Sequence, residues 1–167
     1  WAFIKTHCKY FNTEKLTTLH AYEWTSNEFR YDYGHKNVYY RDQGPFIPCV
    51  SDEGYSPDAL YEALRPYEAL TIPHHLGAVW DVVLASTDWK YHDEDLQRVA
   101  EVLSRHAVFE TDKDRSPYTK NVPREEGNSL RHALKRGYRI GFVGGSDSHQ
   151  LEAGTEGGLT CVYAKAK

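Results

Sequence analysis

The sequence predicts an α/β fold with a mainly parallel sheet that is covered on both faces. Short apolar segments typical of strands alternate along the chain with segments that carry helix start or stop signals. Residue types that bind metals stand directly after several of these strands, as they do at the carboxyl ends of barrel strands. With 167 residues, the chain is long enough for one domain with a sizeable core.

Strands are predicted where β-branched, leucine or aromatic side chains cluster: 16–24, 37–41, 69–73, part of 99–108, 139–143 and 158–163. Ser56 and Pro57 begin a helix, because serine is a good N-cap and proline fits the first helical position. Gly137 ends another helix over 128–136, since glycine is favoured just past a helix. Two more helices are predicted over 5–15 and 93–98, the second beginning at Asp93.

The composition excludes several classes of protein. A net charge of −4 gives no strong signal for nucleic-acid binding. No apolar stretch approaches about 18 residues, so no membrane partner is expected. Three cysteines without a Cys-x-x-Cys pair predict neither a disulfide framework nor a thiolate zinc site, and they favour a reducing compartment. No dinucleotide or phosphate-loop glycine motif follows a strand.

The segment from Gly141 to His149 carries the strongest functional signal. Gly144 and Gly145 allow the backbone to turn tightly after a short strand, and Asp147 and His149 follow two positions apart. Because residues i and i+2 of an extended segment point the same way, we expect this carboxylate and imidazole to lie side by side. Both are common ligands of Zn, Mn and Fe. The alternative is a helix-capping aspartate followed by a surface histidine.

Further candidate ligands belong to the earlier strands. Glu23 stands in an apolar strand, where a buried carboxylate is costly unless it is paired or bound to a metal; otherwise it is an exposed strand-face glutamate. His74 and His75 follow the third strand, and neighbouring strand residues point to opposite sides, so we expect only one to face the site. His35 precedes a strand, and on the residues alone it is expected at the surface.

The remaining acids and histidines give weaker signals. Glu101 and Glu110 are expected to be structural, although Glu110 follows a predicted strand. His20 and His106 stay undecided between the core and the site. No Gly-x-Ser-x-Gly motif accompanies Ser146, so a serine nucleophile is not expected.

Taken in series, four motifs resemble the polymerase-and-histidinol-phosphatase (PHP) superfamily. They are Tyr-Glu-Trp at 22–24, His35 followed by Asn-Val-Tyr at 37–39, Ile-Pro-His-His at 72–75 and Gly-Ser-Asp-Ser-His at 145–149. The resemblance covers roughly residues 16–163 and is closest to a bacterial subgroup of PHP-like proteins. It implies a distorted (β/α)7 TIM-like barrel that holds two or three divalent metal ions, Zn, Mn or Fe.

The resemblance also implies a ligand set. Glu23 would bridge two metals, and His35 and His75 would join it on one of them. The histidine before His75 stays an alternative, because the family's His-Pro-Gly is matched only in part here. Asp147 would bind the metal that Glu23 shares, and His149 would bind a third.

The function that the resemblance implies is metal-dependent hydrolysis, most of all of phosphate esters, with catalytic roles for Glu23 and Asp147. Metals bridged by Glu23 would lower the pKa of a shared water and supply hydroxide near neutral pH. Arg41 or Arg139 would help to offset charge on the phosphoryl oxygens. The substrate would be a phosphorylated small molecule or a nucleotide. The alternatives are an amidohydrolase-type metal hydrolase and a degenerate PHP domain with a binding or regulatory role.

The chain departs from the family at its front. PHP proteins open with a His-x-His motif on their first strand, and no such motif stands near the start of this sequence. We therefore expect residues 1–167 to form the C-terminal two-thirds of one PHP-like domain, lacking an N-terminal segment. Open sheet edges would then promote self-association. The expected location is the bacterial cytoplasm.

Overall fold

The computed structural model describes residues 1–26, 33–80, 83–113, 125–150 and 157–164. Within these residues the helices are α1 (Ala2–Phe11), α2 (Pro57–Leu64) and α3 (Leu130–Lys135). The strands are β1 (His20–Thr25), β2 (His35–Tyr40), β3 (Ala69–His74), β4 (Val79–Trp80), β5 (Val83–Leu84), β6 (Val99–Leu103) and β7 (Gly141–Gly144). None of the described helices is long and apolar enough to cross a membrane.

The helix signals at Ser56 and Gly137 are confirmed. The Ser56 hydroxyl accepts a hydrogen bond from the Ala59 N–H at 3.2 Å, and Pro57 is the first residue of α2. Gly137 follows α3 with φ of +89°, a left-handed conformation that glycine adopts without steric cost. These two ends therefore follow from local chemistry alone.

Two of the predicted elements are wrong. Residues 93–98 form a turn, because the Asp93 carboxylate accepts hydrogen bonds from the N–H groups of Asp95 and Leu96 at 3.0 and 2.9 Å. Residues 158–163 form no strand, although the Thr160 hydroxyl donates to the Gly144 carbonyl at 2.9 Å. Glycines at 144 and 158 bring the two segments close, since a Cβ on Gly158 would lie 2.9 Å from the Gly144 Cα.

The predicted barrel and mainly parallel sheet are also wrong. The described strands form an antiparallel sheet in the order β1-β2-β3, an antiparallel pair β4-β5 and a parallel pair β6-β7. Only residues 26–34 connect β1 to β2, and a parallel crossover needs about a dozen residues or more. The short connection therefore makes β1 and β2 antiparallel, which strand patterns alone did not reveal.

Four of these strands nevertheless end at the same side of the molecule. β1 and β3 run in the same direction, because both are antiparallel to β2, and β6 packs beside β3. Early in β3, the Thr71 N–H donates to the carbonyl of Leu96, which precedes β6. Just after β3, the His75 N–H approaches the side chain of Glu101 within β6. Later residues of β3 thus lie beside later residues of β6, and the two strands run in the same direction. β7 is parallel to β6. We call the side where β1, β3, β6 and β7 end and β2 begins the ligand edge.

Two hydrophobic clusters support the strands. One lies between α2 and the antiparallel sheet, where Leu60 and Leu64 pack with Trp24, Val38 and Tyr40. The other lies against the parallel pair and includes α3; its buried members are Leu76, Ala78, Trp89, Ala100, Ala107, Phe109, Leu130, Ala133 and Ile140. The ligand edge thus joins two separately packed parts of the protein.

Candidate metal centre

His35 lies at the ligand edge because β2 runs against its neighbours. The beginning of an antiparallel strand lies beside the ends of the strands on either side, and His35 pairs with Thr25 of β1 and His74 of β3. Its Nδ1 is 2.9 Å from Oε1 of Glu23, and the residue is only 8% exposed. The residue-based expectation of a surface histidine is wrong, and the reason is the strand direction.

His74 and His75 both face the site. β3 ends at His74, and His75 leaves the strand with φ of +59°. This left-handed conformation breaks the alternation of strand side chains, so the two rings lie against each other with centroids 3.8 Å apart. Both histidines are buried. The expectation that only one of them faces the site is therefore wrong.

The first ligand group consists of His35, His74 and His75, whose ligand nitrogens all lie within 4.8 Å of one another. Glu23 lies against this group, with Oε1 3.6 Å from Nε2 of His74. Both ring nitrogens of His74 and Nε2 of His35 are buried and make no hydrogen bond with the described residues. Buried polar atoms without partners are costly, and a metal ion would satisfy nitrogens arranged in this way.

The second ligand group consists of His75, His106 and Asp147, with ligand atoms again within 4.8 Å of one another. Oδ2 of Asp147 lies 2.9 Å from Nε2 of His106 and 3.2 Å from Nε2 of His75. His106 comes from the turn after β6, and Asp147 follows β7 with φ of +47°. His75 belongs to both groups and links the two halves of the ligand edge.

Glu101 is a third acid beside the two groups. It is 4% exposed, and its Oε1 lies 3.5 Å from the His75 backbone nitrogen. A Cβ on Gly145 would come within 3.0 Å of Oε2, so the glycine leaves room for this carboxylate. Burial raises the pKa of Glu101 to about 8, and the charge of Asp147 adds to the rise. A cation bound at the second group would favour the ionised form of Glu101.

The electrostatic environment keeps the other groups in the forms that bind metals. Burial acts to raise the pKa of Glu23, but the neighbouring imidazoles of His35 and His74 bring it well below its ordinary value. For Asp147 the same burial effect is overcome by hydrogen bonds from His106 and His75, so its pKa is also lowered. Burial lowers the pKa of His75 to about 4. At neutral pH Glu23 and Asp147 are ionised and His75 is neutral, as metal ligation requires.

Three residues with predicted roles lie away from these groups. His149 is exposed, and its Nδ1 is 3.1 Å from the Asp147 carbonyl oxygen rather than directed at the other ligands. The left-handed Asp147 interrupts the extended geometry that would place the two side by side. Arg41 follows β2 and pairs with Glu68, and Arg139 precedes β7 in an exposed position. Both arginines are at the side opposite the ligand edge.

The donor set indicates which ions fit. It combines imidazole nitrogens with carboxylate oxygens, and the three cysteines take no part in either group. Such a mixture suits Zn, Mn or Fe and excludes a thiolate-dominated site. The two groups share one histidine, so the arrangement is suited to neighbouring ions or to one ion at either group.

Sequence reasoning missed two residues of this centre, His106 and Glu101. A usable signal existed for His106, because it follows β6 in the same way that His75 follows β3 and Asp147 follows β7. The ambiguous boundary of that strand hid this position. Glu101 lies within β6, and no local pattern distinguishes a buried strand glutamate at a site from a structural one.

Comparison with known proteins adds a family but no activity. The chain matches, over residues 1–113, the sequence model of the family described as "protein of unknown function (DUF3604)". This match covers more than half of the 167 residues, and the chain belongs to that family. No curated protein and no solved structure matches it.

Proposed function

We propose that this member of the DUF3604 family is a metal-dependent hydrolase that acts on phosphate esters and resembles PHP proteins in its metal ligands. The observation that carries the proposal is the convergence of two ligand groups on one shared residue, His75. The groups come from four strands (β2, β3, β6 and β7) or from the residues that follow them, yet their ligand atoms meet at one edge. Purely structural histidines have no need to cluster in this way.

The state of the side chains supports metal binding and hydrolysis. Divalent ions held here would lower the pKa of a bound water and supply hydroxide near neutral pH. Glu23 and Asp147 would provide the negative charge that holds the ions. His35 and His74 orient Glu23 by direct contact, and His106 orients Asp147. Glu23 is partly exposed, so substrate can approach the centre from its side.

An anionic substrate would bind through the metal ions of this centre. Arg41 and Arg139 lie away from the ligand edge, so bound ions, and not these two arginines, would offset the charge of a phosphoryl group. We therefore propose a phosphorylated small molecule or a nucleotide as substrate.

The amidohydrolase alternative is less well supported. Such enzymes often use a lysine that bridges two metals. Lys36 adjoins His35 in sequence, but neighbouring strand residues point to opposite faces, and its Nζ lies 5.9 Å from the centre of the Trp24 ring. Lys36 is fully buried on the far face of β2 and is not available as a bridge.

A substrate screen tests the proposal. The chain would be loaded with Mn²⁺, Zn²⁺ or Fe²⁺ and assayed against phosphate monoesters, phosphate diesters, nucleotides and a matched set of amides. We expect hydrolysis of phosphate esters that falls about 100-fold or more in His75→Ala and persists in the matched control His149→Ala. Turnover of amides alone would favour the amidohydrolase class. Metal binding without turnover of any substrate would favour a binding role.

A further inference from the structure

His75 has a strained backbone conformation that its surroundings must hold. Its φ of +59° lies in the left-handed region, which is unfavourable for a residue with a side chain. Such a conformation persists only where the surrounding contacts determine it. The His75 carbonyl accepts a hydrogen bond from the Ala78 N–H at 2.7 Å, which closes a turn after β3. The His75 N–H needs an acceptor as well, because a buried N–H without one is costly.

The acceptor for this N–H is a buried carboxyl group from the neighbouring strand. Oε1 of Glu101 lies 3.5 Å from the His75 nitrogen, and this hydrogen bond joins the residue after β3 to the middle of β6. Glu101 is 4% exposed. Burial of a carboxyl group is costly unless the group is hydrogen-bonded or paired, and the His75 N–H meets part of that requirement.

The backbone around Glu101 leaves room for its side chain. β6 has a bulge between Glu101 and Leu103, which pair with adjacent residues of β7. Bulges are over-represented beside functional sites, where they redirect side chains. Just after β7, a Cβ on Gly145 would lie 3.0 Å from Oε2 of Glu101, so the absence of a side chain there gives this oxygen its space. Two separate features of the backbone therefore accommodate one carboxyl group.

We propose that Glu101 is a positioning residue of the candidate metal centre, and that its carboxyl group holds the His75 backbone in the left-handed conformation. Continued strand geometry would turn the His75 ring away from that of His74, whereas the left-handed form brings both rings to the ligand edge. Glu101 thereby acts on both ligand groups through the residue that they share. This inference rests on the metal centre of the proposed function, but it does not depend on the substrate.

A positioning role differs from a role as a metal ligand. Glu101 belongs to neither ligand group, so metal ions at these groups would be bound without it. A hydrogen bond to the His75 N–H requires an acceptor oxygen at the right place but no charge. Glutamine keeps that oxygen, and leucine removes it with little change in size. The two substitutions separate the alternatives, because neither glutamine nor leucine can replace a carboxylate that binds a metal.

Hydrogen exchange of the metal-free chain, followed by NMR, tests the backbone contact directly. The His75 amide should exchange at least about 10-fold faster in Glu101→Leu than in wild type, and within about threefold of wild type in Glu101→Gln. The amide of Val38, a fully buried residue of β2, should keep its wild-type rate in both variants and so report an intact fold. Wild-type exchange of His75 in Glu101→Leu would overturn the proposal.

Titration calorimetry with Zn²⁺ tests the consequence for the metal centre. Glu101→Leu should weaken binding at both groups by about 10–100-fold, whereas Glu101→Gln should stay within about threefold of wild type. The matched control Glu110→Leu, which changes an exposed acid after the same strand, should leave both affinities unchanged. Equal losses in Glu101→Leu and Glu101→Gln would make Glu101 a ligand and refute the positioning role.

Gly145→Ala provides a second variant in case Glu101→Leu does not fold. Its Cβ would push against Oε2 while Glu101 stays in place, so we expect faster His75 exchange and weaker Zn²⁺ binding, both by smaller factors than in Glu101→Leu. An unchanged His75 amide in Gly145→Ala would count against the proposal. Neither measurement uses turnover, so a chain that binds Zn²⁺ as expected but hydrolyses no phosphate ester would refute the proposed function alone.

Discussion

The two candidate ligand groups share one histidine but are constructed differently. The first group lies mainly on regular strands, where His35 begins β2 and His74 ends β3, and its three histidines are buried. The second group depends on turns, since His106 and Asp147 both follow their strands and are only partly buried. A sheet fixes ligand positions by register, whereas a turn must fix them by its own hydrogen bonds and backbone conformation.

The difference predicts unequal binding sites. Strand-held, buried imidazoles would form a dry and preorganised site, whereas a partly exposed group with a carboxylate would exchange a bound ion more easily. His75 joins both groups, so it couples them. Substitution of the shared residue, and of residues that belong to one group only, would show whether the two groups bind metal unequally.

The largest effect is expected from the shared residue. His75→Ala removes a ligand from both groups, so we expect loss of bound metal at both. Plasma emission spectroscopy of chain loaded with Zn²⁺ or Mn²⁺ measures the stoichiometry. The control is Lys36→Met, which alters a buried residue on the other face of β2. Wild-type metal content in His75→Ala would exclude the shared-ligand arrangement.

Residues of one group should affect that group alone. Asp147→Ala should weaken metal binding at the second group and leave the first intact, and His35→Ala should do the reverse. Titration calorimetry distinguishes the two sites by affinity, with a loss of about 10–100-fold or more at the altered group. Equal losses at both sites in either variant would mean that the chain holds a single centre rather than two groups.

A smaller effect concerns pH and Glu101. Its folded pKa is raised from 4.5 to about 8, so the folded state keeps a proton that the unfolded state releases. The free energy of unfolding attributable to this group is therefore highest below pH 4.5 and falls as the pH rises towards 8. Glu101→Gln cannot ionise. We expect metal-free Glu101→Gln to gain up to a few kcal/mol over wild type across this window.

Urea denaturation with a chelator present, repeated at several pH values, measures this gain. Glu110→Gln, which changes an exposed acid nearby in sequence, serves as the control and should follow the wild-type profile. A constant difference between Glu101→Gln and wild type at all pH values would show that Glu101 ionises normally in the folded protein.

The smallest effect is expected at His149. Its ring contacts the Asp147 backbone and belongs to neither group, so His149→Ala should change metal content and affinity by less than about twofold. This outcome would exclude His149 as the ligand of a third metal, the role implied for it by the resemblance of the sequence to PHP proteins. A clear loss of one metal equivalent would instead restore His149 to the ligand set.

The sequence allowed most strands and the candidate ligands to be predicted, because both depend on local composition. Glu23, His74, His75 and Asp147 were found from their positions in or after apolar strands, and all four lie at the ligand edge. Strand direction could not be predicted in the same way. It depends on connection length and packing between distant segments, and it decides whether a residue such as His35 stands at the site or at the opposite side.

The direction of side chains just beyond strand ends was the second feature that the sequence could not predict. Alternation holds within a strand, but His75 and Asp147 lie just beyond strands and adopt left-handed conformations. That change brings His75 to the same side as its neighbour and separates Asp147 from His149. Periodicity gives no warning of such a change, because neither residue is a glycine.

These two backbone conformations have a consequence for how the protein can evolve. A left-handed residue other than glycine costs about 1–2 kcal/mol, and here both positions carry candidate ligands. Glycine at either position would relieve this backbone strain while removing a candidate metal ligand. Backbone strain and the proposed metal binding therefore oppose each other at His75 and Asp147. A lineage that lost the need for metal would be expected to accumulate glycine or asparagine at these two positions first.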